Sequence, residues 1–136
     1  TILDSEQQIP ITNSAGELTG YDVQPIFGVS DSSYSAILAY DRERFSTRLS
    51  YFWREEFVDR NEAALFANPL TIWNSPEKSL DFQATWMVTD RWSLTFDATN
   101  LTEEIVSENY GNEPTIFNHT NWFYSRTFAL GLRFQM

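Results

Sequence analysis

Tyr124-Ser125-Arg126-Thr127-Phe128-Ala129-Leu130-Gly131-Leu132-Arg133-Phe134-Gln135-Met136 alternates in side-chain character from Thr127 onward. Phe128, Leu130, Leu132, Phe134 and Met136 share one parity, and Thr127, Ala129, Gly131, Arg133 and Gln135 share the other. Successive side chains of an extended strand point to opposite faces, so the stretch predicts a long β-strand with one apolar face and one small or polar face.

Four upstream segments repeat the pattern. Ser33 to Tyr40 places Tyr34, Ala36, Leu38 and Tyr40 together, with Ile37 and Ala39 on the opposite parity. Phe45 to Arg54 sets Phe45, Thr47, Leu49, Tyr51 and Trp53 against Ser46, Arg48, Ser50 and Arg54, with Phe52 as the exception. Leu80 to Val88 opposes Leu80, Phe82, Ala84, Trp86 and Val88 to Asp81, Gln83, Thr85 and Met87. Trp92, Leu94, Phe96 and Ala98 oppose Ser93, Thr95, Asp97 and Thr99. Period-two alternation over such lengths reads as half-buried strands.

The connections alternate between short and long. Asp41 to Arg44 and Thr89 to Arg91 are tight, whereas Glu55 to Lys78 and Leu101 to Trp122 are each roughly twenty residues of polar sequence, well beyond ordinary hairpin loops. Short turns on one side and long loops on the other are the rhythm of outer-membrane barrels, whose turns are periplasmic and whose loops are extracellular. In that frame residues 1–32 form an extracellular loop region and 33–136 the barrel strands. Tyr40, Phe45, Trp86, Trp92 and Phe134 fall near the short-turn ends, and Tyr34, Tyr51, Trp53, Phe82 and Trp122-Phe123-Tyr124 near the long-loop ends. Two aromatic girdles are the interfacial pattern, because amphipathic rings favour the headgroup level.

Composition agrees with this class and excludes others. The 136 residues are 42% hydrophobic and 16% aromatic, a share of rings that suits strands and membrane interfaces. There is no apolar run long enough for a transmembrane helix and no basic-then-apolar leader, so any secretion signal is expected upstream of Thr1. A formal net charge of −10 argues against binding a phosphate backbone, and nucleic acid is not expected as a partner. The absence of cysteine removes disulfides and thiolate metal sites.

Phe45-Ser46-Thr47-Arg48-Leu49-Ser50-Tyr51-Phe52-Trp53-Arg54-Glu55-Glu56-Phe57, then Ser79-Leu80-Asp81-Phe82-Gln83-Ala84, then Trp92 through Asn100-Leu101-Thr102 with Glu103-Glu104, follow one another in the order found in a known family. From about Ser30 to Met136 the chain resembles the C-terminal barrel segment of TonB-dependent outer-membrane receptors. The resemblance implies an all-β fold: an antiparallel up-and-down sheet of about five long strands, the terminal part of a transmembrane barrel of about 22 strands and not closed by itself. It implies location in the bacterial cell outer membrane and import of a scarce small-molecule substrate bound at extracellular loops. Energy would come from the TonB system through an N-terminal plug, which is expected upstream of Thr1. Outer-membrane lipid and lipopolysaccharide, and the barrel assembly machinery, are the other implied partners. Gly131, Phe134 and Met136 resemble the terminal signal that this machinery recognises, although the family usually ends on an aromatic where this chain has Met136. No cofactor, metal or enzymatic activity is implied.

Within a barrel the polar parity faces the lumen, which assigns Arg48, Ser50, Arg54, Asp81, Gln83, Thr85, Thr95, Asp97 and Arg133 there, chiefly to bond one another and a plug. Candidate ligand contacts on the loops are Glu56, Asp59, Phe66, Trp73, Glu104, Tyr110, Phe117 and Trp122, carboxylates for a cationic or metal-bearing ligand and rings for stacking. A solvated acidic surface is the plainer account of the carboxylates. Arg126 has the lipid-facing parity at the outer end and is expected either to meet anionic headgroups or to turn inward at a bulge. Catalysis lacks a constellation: Glu55-Glu56 and Glu103-Glu104 are sequence neighbours facing opposite sides, and His119, the only histidine, has no nucleophile elbow to serve. The alternative class is a soluble lipocalin-like ligand-binding β-protein, which needs about eight strands where alternation supplies five or six.

Overall fold

Aromatic and β-branched residues at alternate positions favour extended backbone. The computed structural model describes residues 1–62, 70–111 and 117–135, and among these it is all-β. In chain order the strands are β1 (Glu6–Thr12), β2 (Leu18–Pro25), β3 (Ser33–Arg42), β4 (Phe45–Arg54), β5 (Phe57–Glu62), β6 (Leu70–Asn74), β7 (Glu77–Met87), β8 (Trp92–Thr99), β9 (Ile105–Tyr110), β10 (Asn118–Phe123) and β11 (Thr127–Phe134). They form three sheets: β1-β2, β10-β9-β6-β5 and β11-β8-β7-β4-β3.

The five-stranded sheet is an antiparallel meander made of the five segments that alternate in sequence. Register carries the apolar parity across it in rows. Phe128 pairs with Ala98 and Ala98 with Phe82; Leu130 with Phe96 and Phe96 with Ala84; Leu132 with Leu94 and Leu94 with Trp86. At its short-turn end Arg44 meets Asp90 at 3.2 Å, Met87 N donates to Arg44 O at 2.7 Å, and Gln135 N donates to Arg91 O at 2.9 Å. Ring pairs sit at that end, Tyr40 with Phe45 and Trp92 with Phe134, and toward the other, Tyr34 with Trp53 and Phe82 with Phe96.

Among the described residues the long connections carry strands of their own. Between β4 and β7 the chain makes β5 and β6, and between β8 and β11 it makes β9 and β10; these four strands constitute the second sheet. Residues 1–32 likewise contain the β1-β2 hairpin, closed by an Asx turn in which Asn13 Oδ1 accepts from Ala15 N at 3.0 Å and Glu17 N at 2.9 Å while Gly16 takes φ 81°. Packing divides the chain into two compact units: Thr1–Ser33, Arg54–Pro76 and Val106–Trp122 make one; Tyr34–Trp53, Glu77–Ile105 and Phe123–Met136 make the other.

The two units bury different things. In the first, Phe57, Val58 and Ile72 are buried hydrophobics and Glu108 and Asn109 are buried with them. In the second, Ala98 is the only buried hydrophobic among the described residues, while Leu130 and Leu132 are 72% and 67% exposed.

Candidate functional site

Opposite the apolar rows the five-stranded sheet carries a polar surface, which collects most of the side chains expected to face a lumen. Gln83 pairs with Asp97 and Thr85 with Thr95, and Gln83 Nε2 donates to Asp97 Oδ1 at 2.7 Å. Ser93 pairs with Arg133 and Thr95 with Gly131. Arg48 lies between two open concavities of about 340 and 230 Å³, the first shared with Ser46, Gln83 and Thr85 and the second with Ser50, Asp81 and Asp97. Asp81 has a local task, since its Oδ1 accepts from Ser79 Oγ at 3.0 Å and from Asn100 N at 2.9 Å. Arg54 belongs to the other unit, with its guanidinium 3.8 Å above the centre of the Phe57 ring.

The loop candidates have different local surroundings. Phe66 lies outside the described residues, as does Met136 of the terminal signal. Glu56, Phe117 and Trp122 are exposed. Trp73 pairs with Val58 and Asn109 inside the four-stranded sheet, and Asp59 is held by the neighbouring Arg60. Glu104 faces Lys78 at 3.7 Å. Arg126 precedes β11 and donates to Glu103 Oε2 at 2.7 Å, both groups being about half exposed.

Tyr110 enters a polar network that sequence reasoning did not assemble. Register places Arg60 and Tyr110 on either side of Ile72, on one face of the four-stranded sheet. Arg60 donates to Glu108 Oε2 at 3.1 Å, and His119 Nδ1 lies 3.2 Å from the same oxygen. Tyr110 donates to Glu62 Oε2 at 3.1 Å, and its ring meets that of His119 edge-on with centroids 4.9 Å apart. Hydrogen bonds to Glu108 and Asp59 raise the pKa of Arg60 against the opposing effect of desolvation, and desolvation, reinforced by Glu62, raises that of Tyr110. Arg60 and Tyr110 thus cover Ile72 while Arg60 and His119 flank the buried Glu108 carboxylate. The contacts span up to 48 residues, so local sequence could not reveal them. His119 has its two nitrogens turned to different carboxylates, Nε2 standing 3.8 Å from Glu62, and no group of three or more ligating side chains able to hold a metal occurs among the described residues.

No family model, curated protein or solved structure matches this chain.

Proposed function

We propose that the chain is the terminal part of the barrel wall of a TonB-dependent outer-membrane receptor, importing a scarce small molecule without chemical transformation. The observation that carries this reading is the apolar face of the five-stranded meander. Phe128, Leu130, Leu132, Phe96 and Trp86 stand in register on one side and are exposed there, whereas the other side carries Arg48, Asp81, Gln83, Asp97 and Arg133. A soluble sheet buries its apolar side under another layer; a barrel strand turns it to lipid and its polar side to the lumen. The aromatic pairs at both ends fit the two headgroup levels, and the short turns at one end fit the periplasmic side. Substrate would then be met by the hairpins β5-β6 and β9-β10, and the polar surface by a plug.

The test is fractionation, in a Gram-negative host, of the whole receptor of which this chain would be the terminal part. It should sediment with the outer membrane, need detergent for extraction and change its gel mobility on boiling. A monodisperse product in the soluble fraction, obtained without detergent, would overturn the proposal.

A further inference from the structure

We propose that the turn Asn100–Glu103 is a register lock for the last strand, β11. Alternation alone cannot set that register. A slip of one residue moves the whole apolar set to the wrong face, but a slip of two restores it, matching Phe128, Leu130, Leu132 and Phe134 against Trp92, Leu94, Phe96 and Ala98 with the loss of only an end row. Hairpin geometry cannot set it either. A tight turn fixes the pairing of the strands it joins, whereas β8 reaches β11 only by way of β9 and β10.

The turn supplies what both lack. Asn100 and Glu103 have φ of 54° and 53°, a left-handed conformation uncommon for residues with a side chain. In both, the side chain reaches the segment that leads into β11. Asn100 Nδ2 donates to Tyr124 O at 2.7 Å, and Glu103 Oε2 accepts from Arg126 Nη2 at 2.7 Å. The turn is itself moored to β7 and closed on itself. Leu101 N donates to Leu80 O at 2.8 Å, Asn100 N to Asp81 Oδ1 at 2.9 Å, and Glu104 N to Asn100 Oδ1 at 3.2 Å. Its two partners lie just before Thr127, the residue that pairs with Thr99 at the start of the ladder. A slip of two residues would carry Tyr124 O and the Arg126 backbone roughly 7 Å along the strand, breaking the Tyr124 bond and drawing Arg126 away from Glu103. The Gly131-Thr95 pair acts in the same sense, because a slip brings Ala129 or Arg133, each with a Cβ, to the position opposite Thr95.

The chain has no cysteine, so engineered pairs report register directly. Ala98→Cys with Phe128→Cys marks the observed pairing; Ala98→Cys with Leu130→Cys, and Phe96→Cys with Phe128→Cys, mark the two slips. Direct partners lie within disulfide range and diagonal ones at its limit. In the otherwise unaltered whole receptor, refolded in detergent with any cysteine outside this chain replaced by serine, only the first pair should oxidise readily. Adding Asn100→Gly, which keeps the left-handed turn but removes the side chain, together with Arg126→Met should raise a slipped cross-link about tenfold, the effect of losing one or two net hydrogen bonds. Asn100→Asp, which retains size and turn tolerance but loses the donor to Tyr124, should move the same way by a smaller factor and decides the matter if the double variant does not fold. Unchanged oxidation of all three pairs with the altered turn overturns the lock. Register is read in detergent whether or not the protein transports anything, so the transport reading is judged separately.

Discussion

Gly131 shows how a single missing side chain is explained by a residue far away in sequence. Its partner across the ladder is Thr95, and a Cβ built on Gly131 would fall on Thr95 Oγ1. The glycine stands out in sequence as part of a terminal signal, but its local reason is steric and depends on a pairing that no local pattern states. Gly131→Ala should therefore destabilise the sheet by about 0.5–1.5 kcal/mol, the cost of pushing the Thr95 hydroxyl off its rotamer. Thr95→Ala in the same chain should recover most of the loss. Denaturant midpoints of the four members of that cycle check it, and equal losses in the presence and absence of the Thr95 hydroxyl would rule out the contact. Ile72 offers a second case, in the first unit. It is wholly buried beside Arg60 and Tyr110, so Ile72→Ala should cost about 2–5 kcal/mol of local stability, read as faster amide exchange along β6.

Strands with one oily face were legible in sequence, and strands whose packed face is charged were not. Trp92 to Thr99 alternates cleanly and Phe45 to Arg54 does so apart from Phe52, and β8 and β4 have those bounds. In β5 the side chains directed toward β9 and β10 include Arg60 and Glu62, and β9 answers with Glu108 and Tyr110. No period-two alternation of apolar and polar residues results, and composition reads as an acidic loop. In β1 the mid-strand Pro10 removes a donor and argues against a strand, yet a two-stranded hairpin has an outer edge where that donor is not needed. The polar network makes two predictions. Arg60→Met leaves the buried Glu108 carboxylate without its guanidinium, so it should loosen the four-stranded sheet more than Arg60→Met combined with Glu108→Gln; amide exchange in β9 measures the difference. Tyr110 should hold its proton above the ordinary phenol range. Because its folded pKa is raised, its contribution to stability is complete below about pH 10, the usual unfolded value, and is lost as pH rises through the folded pKa. Absorbance titration against Tyr110→Phe should show this late phenol, and Glu62→Gln should bring it partway down, since desolvation remains.

At the scale of the molecule the charge is unevenly shared. The first unit holds eleven acidic and two basic side chains, and the second holds eight and seven. The unit containing the five-stranded sheet is therefore close to neutral while the other carries almost all of the net −10. Leu130 turns this into a measurement. In water, a leucine already 72% exposed is replaced by lysine at almost no loss, within about 0.5 kcal/mol, and solubility improves. At the middle of a lipid-facing strand the same change costs about 2–4 kcal/mol, falling toward the interfaces. Gln83→Lys is the matched control, because it adds the same charge on the opposite face beside Asp97, where it gains a carboxylate partner. Folding of the whole receptor into phospholipid vesicles should fall sharply for Leu130→Lys and hardly at all for Gln83→Lys. Equal yields from the two variants would mean that lipid does not cover the row through Leu130, Phe96 and Ala84, and the barrel reading would fall with it.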